Sequence, residues 1–159
     1  MKLRPYHEGE ALKVESFLAQ AKSVHGDKDL TPKGHHALYL AEMDGELVGL
    51  LETRVCAVSG IHGDRPALLL SKLLFSPEYF EDEYALLGLN FFLSEAQRLA
   101  VEIVFIEGDE MPYEKELGFV PAASLGLYDG PDPVAYLNTL RAKRLDGSDK
   151  LAPGFLYLI

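Results

Sequence analysis

The stretch that decides the fold is residues 67–107, which read ALLLSKLLF (67–75), SPEYFEDEYALLGLNFFLSEAQRLA (76–100) and VEIVFIE (101–107). The first and third parts are almost continuous apolar runs, which are typical of strands buried on both faces. The part between them is long enough for the helical crossover that a parallel strand pair requires. We therefore predict a βαβ unit whose two strands are parallel.

The middle part of this stretch has the periodicity of an amphipathic helix over roughly 83–100. Its apolar residues recur at spacings of three and four, and polar residues share the opposite face. The apolar set is Leu86, Leu89, Leu93, Ala96 and Ala100. The junction between a strand and the N-terminus of a following helix is where many α/β proteins bind phosphates. This junction is therefore the first place to look for a ligand.

The residues before this unit predict a strand, a helix and a hairpin. Residues 2–6 have the pattern of a short strand, and 8–23 have that of an amphipathic helix. Two strand-like runs, 35–43 and 46–58, flank the Asp-Gly pair at 44–45. This pair favours a type I′ turn, because both central positions of such a turn need positive φ. We expect the two runs to be antiparallel neighbours.

Connecting segments and the C-terminal third complete the predicted fold. The polar segment 24–34 is expected to be a loop or a broken second helix that walls a cleft, and 59–66 is expected to be a turn. A short helix is predicted at 113–117, followed by two extended runs, 123–128 and 133–140, that form a C-terminal β-hairpin. We therefore predict one α/β domain over the whole chain, with a mixed sheet flanked by helices.

Composition and charge restrict the partners of the protein. The 159 residues carry a net charge of −10, which repels nucleic acid and anionic membranes and favours cationic or neutral partners. No apolar run is long enough for a membrane helix, and the first residues lack the pattern of a signal peptide, so we expect a cytoplasmic protein. The five histidines have no metal-ligand spacing, so we predict no metal site. The single Cys56 lies in an apolar run and is expected in the core.

Two short motifs, in this order of elements, resemble the GNAT superfamily of N-acetyltransferases. LLFSPEY at 73–79 is similar to the family's LAVxPEY at the end of its fourth strand. GD at 108–109, followed by YEKELGF at 113–119, is similar to the GDxxYYxxxGF of many bacterial acetyltransferases. The resemblance covers nearly the whole chain in element order. It implies transfer of an acetyl group from acetyl-CoA to an amine, in a cleft where the fourth and fifth strands separate.

The resemblance also implies how acetyl-CoA would be held. Main-chain groups of Leu73 and Phe75 would pair with the pantetheine arm, and the loop after this strand would cradle the pyrophosphate on backbone amides. In the family this loop is basic and glycine-rich, RGKGIG, whereas residues 80–85 read FEDEYA here and only Ala85 fits. We therefore expect a degenerate phosphate loop.

Three acidic residues, Glu81, Asp82 and Glu83, stand where the resemblance implies phosphates. Like charges about 4 to 6 Å apart cost on the order of 1 kcal/mol each even at a dielectric constant near that of water. Acids also suit the first turn of a helix, so we expect these carboxylates to satisfy the free amides there. We predict that acetyl-CoA binds weakly or not at all.

Candidate catalytic residues follow from the same resemblance. Glu107 ends the strand at 101–107 in an alternation that points toward the cleft, which makes it the candidate base, and Glu52 is the alternative. Tyr113 is the candidate acid for the leaving thiolate, although the family's tyrosine position, five residues before Phe119, holds Glu114. A carboxylate there is a poor acid at neutral pH unless its pKa is well raised. Both candidate bases also suit a solvated strand end, and Tyr113 also suits a core or interface position.

Two functions stay open at this point. One is an acetyl-CoA-dependent N-acetyltransferase that acts on a small cationic amine or a protein amino group. The other is a catalytically inactive GNAT-fold module for binding or assembly that has lost CoA binding. The family resemblance favours the first function, and the acidic loop favours the second. A homodimer is compatible with either.

Overall fold

The computed structural model describes residues 1–26, 30–32, 37–60, 63–130 and 136–145, together with the backbone of 154–158. A mixed β-sheet runs through these ranges, and helices and short 3-10 turns pack on its faces. No helix in this described part of the chain is both long enough and apolar enough to cross a membrane.

The first four strands form an antiparallel meander of β1 (Lys2–Pro5), β2 (Ala37–Met43), β3 (Glu46–Gly60) and β4 (Gly63–Phe75). The predicted hairpin between β2 and β3 is confirmed. Asp44 has φ 53° and Gly45 has φ 81°, the positive values that a type I′ turn requires. The helix α1 (Ala11–His25) lies between β1 and β2 in the chain.

The strand β4 begins at Gly63, so the prediction of a turn over 59–66 is wrong at this boundary. Arg65 and Pro66 are both paired with β3, which itself extends to Gly60. Glycine and proline weaken a strand on their own. Here the β3–β4 ladder, which is continuous from Gly63 to Leu70, extends through them.

The βαβ unit at the centre of the chain is confirmed. The helix α2 (Asp82–Arg98) connects β4 to β5 (Ile103–Glu107). The two strands are parallel, with Ala67 opposite Ile103 and Leu70 opposite Ile106. The apolar runs predicted this pairing because both strands are buried on both faces.

The remaining strands are β6 (Val120–Pro121), β7 (Leu127–Asp129), β8 (Leu140–Arg144) and β9 (Gly154–Leu158). The path through the sheet is β1-β2-β3-β4-β5-β8-β6. The strand β9 pairs antiparallel with the far end of β3 and parallel with β7. The predicted α/β class with a mixed sheet is therefore confirmed.

The C-terminal hairpin predicted from the runs 123–128 and 133–140 differs from the observed strand pairing. The strand β6 pairs with β8, whereas the runs 123–128 and 133–140 do not pair with each other within the residues that the structure describes. The Leu137 N–H donates instead to the Asp129 carboxylate at 2.9 Å, and Leu137–Thr139 forms a 3-10 turn. A side-chain acceptor thus takes the place of a strand ladder at this point.

The predicted helix at 113–117 is a single turn. Tyr113 has φ 71°, a left-handed conformation that a right-handed helix cannot contain. The Leu117 N–H donates to the Tyr113 carbonyl at 3.0 Å and closes the turn. The carboxylate of Glu114 accepts a hydrogen bond from the Met111 N–H, which holds the chain in this tighter path. Local sequence signals for a helix are overridden by that buried carboxylate.

Apolar side chains cover the sheet on both faces. The helix α2 packs against one face, where the cluster includes Leu68, Leu70, Leu89, Phe92, Ala96, Val104 and Ile106. The C-terminal segment packs against the other face, where the cluster includes Ala67, Leu69, Ile103, Phe105, Leu127, Leu137 and Leu140. The helix α1 buries Val14, Phe17 and Ala21 beside Leu40, Leu50 and Leu74. The paired parts of β4 and β5 are therefore held between two apolar layers.

Cys56 lies in the second of these clusters and is fully buried, which confirms its predicted core position. Burial raises the pKa of the Cys56 thiol to about 12. A thiol that stays neutral is a small apolar side chain and a weak nucleophile.

Candidate functional site

A cleft opens where β4 and β5 separate. The two strands are paired only as far as Leu70 and Ile106, after which β4 continues to Phe75 while β5 ends at Glu107. A cavity of about 600 Å³ occupies the gap. Its walls come from the end of α1, the segment 30–32, β4, the start of α2 and the turn after β5.

The main chain of β4 presents hydrogen-bonding groups to this cleft. The Ser76 N–H donates to Val48 of β3 at 2.9 Å, and peptide groups alternate in direction along a strand. The groups of Leu73 and Phe75 therefore point away from β3. Both residues line the cavity, at the positions where the resemblance places the pantetheine contacts.

One of these main-chain groups already has a side-chain partner. The Phe75 N–H donates to Nε2 of His25, the last residue of α1, at 2.9 Å. The imidazole ring also lies edge-on to Phe80, with ring centroids 4.9 Å apart. His25 was singled out in the sequence only for its lack of metal spacing. No local pattern indicates a contact between residues fifty positions apart.

The acidic segment lies at the start of α2, on the wall of the cleft. Glu81 is the N-cap residue, and its side chain makes no capping hydrogen bond. The expectation that the carboxylates satisfy the free amides of the helix is therefore wrong at the N-cap. Glu81 and Asp82 line the cavity, and Ala85 lines it as a nearly buried residue whose N–H is bonded to the Glu81 carbonyl at 3.2 Å.

Negative charge dominates the described walls of the cleft. The acidic residues among them are Glu81, Asp82, Glu107, Asp109 and Glu110. Lys72 is the sole lysine or arginine on these described walls, and its Nζ donates to the Thr31 carbonyl at 2.9 Å. The same nitrogen lies 3.6 Å from Oε1 of Glu52. Much of its charge is therefore directed to groups of the protein itself.

The two candidate bases lie near the point where the strands separate. Glu107 is half-buried at the end of β5 and lines the cavity. Glu52 is fully buried, and its carboxylate accepts a hydrogen bond from the Ser71 hydroxyl at 2.8 Å. Ser71 lies at the register shift between the pairs Thr53–Leu70 and Glu52–Lys72 and lines the cavity, so its hydroxyl connects Glu52 with the cleft.

The candidate acid lies apart from these groups. Tyr113 is 39% exposed and is absent from the walls of the cavity, although its neighbours Met111 and Pro112 are part of them. Glu114 is buried, and its Oε1 accepts a hydrogen bond from Nε of Arg141 at 2.7 Å. This ion pair gives Glu114 a structural role, which accounts for a carboxylate at the position where the resemblance implies a tyrosine.

Across the described ranges, no three histidine, cysteine, aspartate or glutamate side chains come together as a group that could hold a metal ion.

Comparison with known proteins identifies the fold. No protein-family model matches the sequence, and no curated protein matches it. Solved structures do match. A GNAT family acetyltransferase from Brucella melitensis, in complex with acetyl-CoA, superposes with a TM-score of 0.68 at 12% identity, over 99% of this chain and 95% of that chain.

Two further structures give the same result. The N-acetyltransferase YhbS from Escherichia coli, in complex with CoA, superposes with a TM-score of 0.69 at 20% identity, over 99% of this chain and 89% of that chain. An aminoglycoside acetyltransferase from an uncultured soil metagenomic sample, in complex with sisomicin, reaches 0.53 at 13% identity, over 69% of this chain and 78% of that chain. The protein therefore has the GNAT acetyltransferase fold.

Proposed function

We propose that this protein is an N-acetyltransferase that transfers an acetyl group from acetyl-CoA to an amine. The observation that carries the proposal is the cleft between β4 and β5, where the main-chain groups of Leu73 and Phe75 face the open gap. A strand edge of this kind can pair with the amides of an extended pantetheine arm. The structural neighbours in complex with acetyl-CoA or CoA support the same ligand class.

The acceptor in this proposal is a small cationic amine or a protein amino group. The acidic walls of the cleft attract a cation and raise its local concentration. An amine must lose a proton before it can attack a carbonyl carbon, and a carboxylate near the strand separation is suited to take that proton. The neighbour in complex with the aminoglycoside sisomicin also supports an amine as acceptor.

Glu107 is the proposed base, because it lies on the wall of the cavity at the end of β5. Glu52 is the alternative, through the hydroxyl of Ser71. Acetyl-CoA, when bound, supplies the acetyl thioester. Tyr113 keeps only a minor proposed role as acid, since its side chain lies outside the described walls of the cavity.

The fit to acetyl-CoA is incomplete, and this favours a second candidate function. The strand edge suits an amide chain, but Glu81 and Asp82 line the wall where the phosphates of CoA would lie. The Phe75 N–H is also occupied by His25. A GNAT-fold binding module that no longer uses CoA is the alternative that these two observations support.

A titration and a rate measurement distinguish the two functions. We expect calorimetry to detect weak binding of acetyl-CoA to the wild-type protein, and a coupled assay to detect acetyl transfer to a panel of diamines and aminoglycosides. If no binding and no transfer are detected at millimolar acetyl-CoA, the second function is the better account.

If the protein transfers acetyl groups, the kcat of variants tests which residue is the base. We expect Glu107→Gln to lower kcat by about 10²-fold or more, in the range of general-base catalysis, and Tyr113→Phe to change it much less. Glu102→Gln, at a half-exposed acid just before β5 that pairs with Arg65, is the matched control. An unchanged kcat in Glu107→Gln would remove Glu107 as base, and a loss in Glu52→Gln would then transfer the role to Glu52.

A further inference from the structure

The end of α1 brings an acceptor to the open edge of β4. Nε2 of His25 accepts the Phe75 N–H at 2.9 Å, and the ring is held in place by its edge-on contact with Phe80. His25, Phe75 and Phe80 all line the cavity. The bond therefore lies inside the cleft and not behind it.

A peptide N–H has one hydrogen, so it makes one good hydrogen bond at a time. A ligand that pairs with β4 as an added strand needs the Phe75 N–H as donor to one of its carbonyl oxygens. The imidazole and the ligand carbonyl cannot hold this donor together. We propose that His25 is an internal competitor for the β4 edge, so that an amide-containing chain such as pantetheine binds only when the imidazole leaves Phe75. This inference rests on the proposed function for its ligand class.

The competition lowers the apparent affinity for the ligand. Before a ligand can bond to the Phe75 N–H, the protein must break the hydrogen bond between this N–H and His25. The contact between the rings of His25 and Phe80 is lost as well. One net hydrogen bond of this kind corresponds to about a tenfold change in the dissociation constant. Removing the imidazole should therefore improve binding about tenfold.

The competition also depends on protonation. Nε2 can accept the Phe75 N–H only while it carries no proton, because both nitrogens of an imidazolium are donors. The ionisable groups that share the described walls of the cavity with His25 are Lys72, Glu81, Asp82, Glu107, Asp109 and Glu110. Acidification through the range near pH 6.5, where histidines ordinarily titrate, should release the amide and strengthen binding.

Calorimetry with pantetheine, which carries no phosphate, tests the competition apart from the acidic loop. We expect His25→Ala and His25→Phe to bind pantetheine about tenfold more tightly than wild type at pH 7.5. His25→Phe keeps an aromatic ring for Phe80 but has no acceptor. We expect the wild type to bind more tightly at pH 5.5 than at pH 7.5, and both variants to lose this difference. His7→Ala is the control and should match wild type, because His7 is exposed and precedes the other end of α1.

A second readout needs no ligand. Amide hydrogen exchange at Phe75 should be slow in the wild type at pH 7.5 and faster, after correction for intrinsic rates, in both His25 variants. Equal protection of Phe75 in all three proteins, or pantetheine affinity that does not improve in either variant, would overturn the proposal.

The outcomes separate this inference from the proposed function. Tighter pantetheine binding in His25→Ala, without acetyl transfer by any protein, would support the competition and contradict the enzyme. Acetyl transfer by wild type with unchanged affinity in both His25 variants would do the reverse.

Discussion

Glu114 occupies the position, five residues before Phe119, where the resemblance to GNAT proteins places a tyrosine. Its side chain is only 2% exposed, and it meets the guanidinium of Arg141 with Oε1 2.7 Å from Nε and Oε2 2.9 Å from Nη2. Two parallel contacts of this kind are a strong form of ion pair. The pair connects the turn after β5 with β8, so Glu114 has a structural role here.

The pair should matter more to stability than an exposed one. We expect Arg141→Ala to lower the free energy of unfolding by about 3 kcal/mol, because it leaves the Glu114 carboxylate buried without its partner. Urea denaturation measures this loss. Arg98→Ala removes a surface pair with Glu95 and should cost about 0.5 kcal/mol, since the Arg98 side chain is 64% exposed. Equal losses in the two variants would show that burial does not strengthen the Glu114 pair.

Residues differ in how far the sequence reveals them. Glu107 was predicted from the alternation along its strand, a local property, and the structure places it on the wall of the cleft. His25 and Ser71 were not predicted as site residues, because their partners, Phe75 and Glu52, lie far away in the chain. Hydrogen bonds between distant residues depend on the finished fold, and no spacing in the sequence indicates them.

At the scale of elements, the packing of α2 on β4 shapes the cleft. Gly88 is buried in α2, and a Cβ atom added there would lie 2.7 Å from Cδ1 and 2.9 Å from Cδ2 of Leu73. Leu73 is also part of the cavity wall. The absence of a side chain at position 88 therefore lets the helix approach the strand closely enough for Leu73 to keep its place.

Gly88→Ala tests this contact. Alanine in a helix interior is favoured over glycine by about 1 kcal/mol, but overpacking costs about 1–3 kcal/mol. Because the clash is with the flexible end of Leu73, we expect a net loss of about 1 kcal/mol in the free energy of unfolding, measured with urea. Asn90→Ala, at an exposed position of the same helix, should instead stabilise by a few tenths of a kcal/mol. If Gly88→Ala instead raised the free energy of unfolding by about 1 kcal/mol, the full difference in helix propensity, the close contact with Leu73 would be contradicted.

The elements themselves were predictable to different degrees. Those with long periodic patterns, β4, α2 and β5, were predicted with the correct order and pairing. The turn at 113–117 and the start of β4 were not, because a buried carboxylate at Glu114 and the ladder with β3 outweigh the local preferences for helix and turn. Tertiary contacts decide short segments, whereas periodicity decides long ones.

At the scale of the whole molecule, the sheet brings together strands that are distant in the chain. The pairing of β9 with both β3 and β7 has no signature in the sequence, since β7 is only three residues long. The order of elements, together with the two short motifs, nevertheless resembled the GNAT family, and this resemblance predicted the fold. The net charge of −10, by contrast, was readable from the sequence and acts over the whole surface.

This charge makes a prediction about salt. Acetyl-CoA is anionic, so the acidic protein and the acidic wall at Glu81 and Asp82 both repel it. Salt screens such repulsion over about 10 Å at 0.1 M. We therefore expect the calorimetric affinity of the wild type for acetyl-CoA to rise between low and moderate salt, the reverse of what a basic phosphate loop gives. An affinity that falls with salt would mean that cationic groups outside the described walls dominate the contact.

Local and overall charge can then be separated with two variants of equal net charge. Glu81→Gly with Asp82→Lys and Glu83→Gly removes the acidic wall, whereas Glu8→Lys with Glu15→Lys makes the same charge change at exposed positions toward the other end of α1. We expect the first variant to bind acetyl-CoA at least tenfold more tightly at low salt, because two or more repulsive contacts of about 1 kcal/mol each are removed next to the phosphates. The gain should shrink as salt rises, and helix stability should fall slightly because glycine enters the first turn. The second variant should gain less, since Glu8 and Glu15 are not among the described walls of the cleft. Equal gains in the two variants would show that the overall field, and not the acids at the start of α2, limits acetyl-CoA binding.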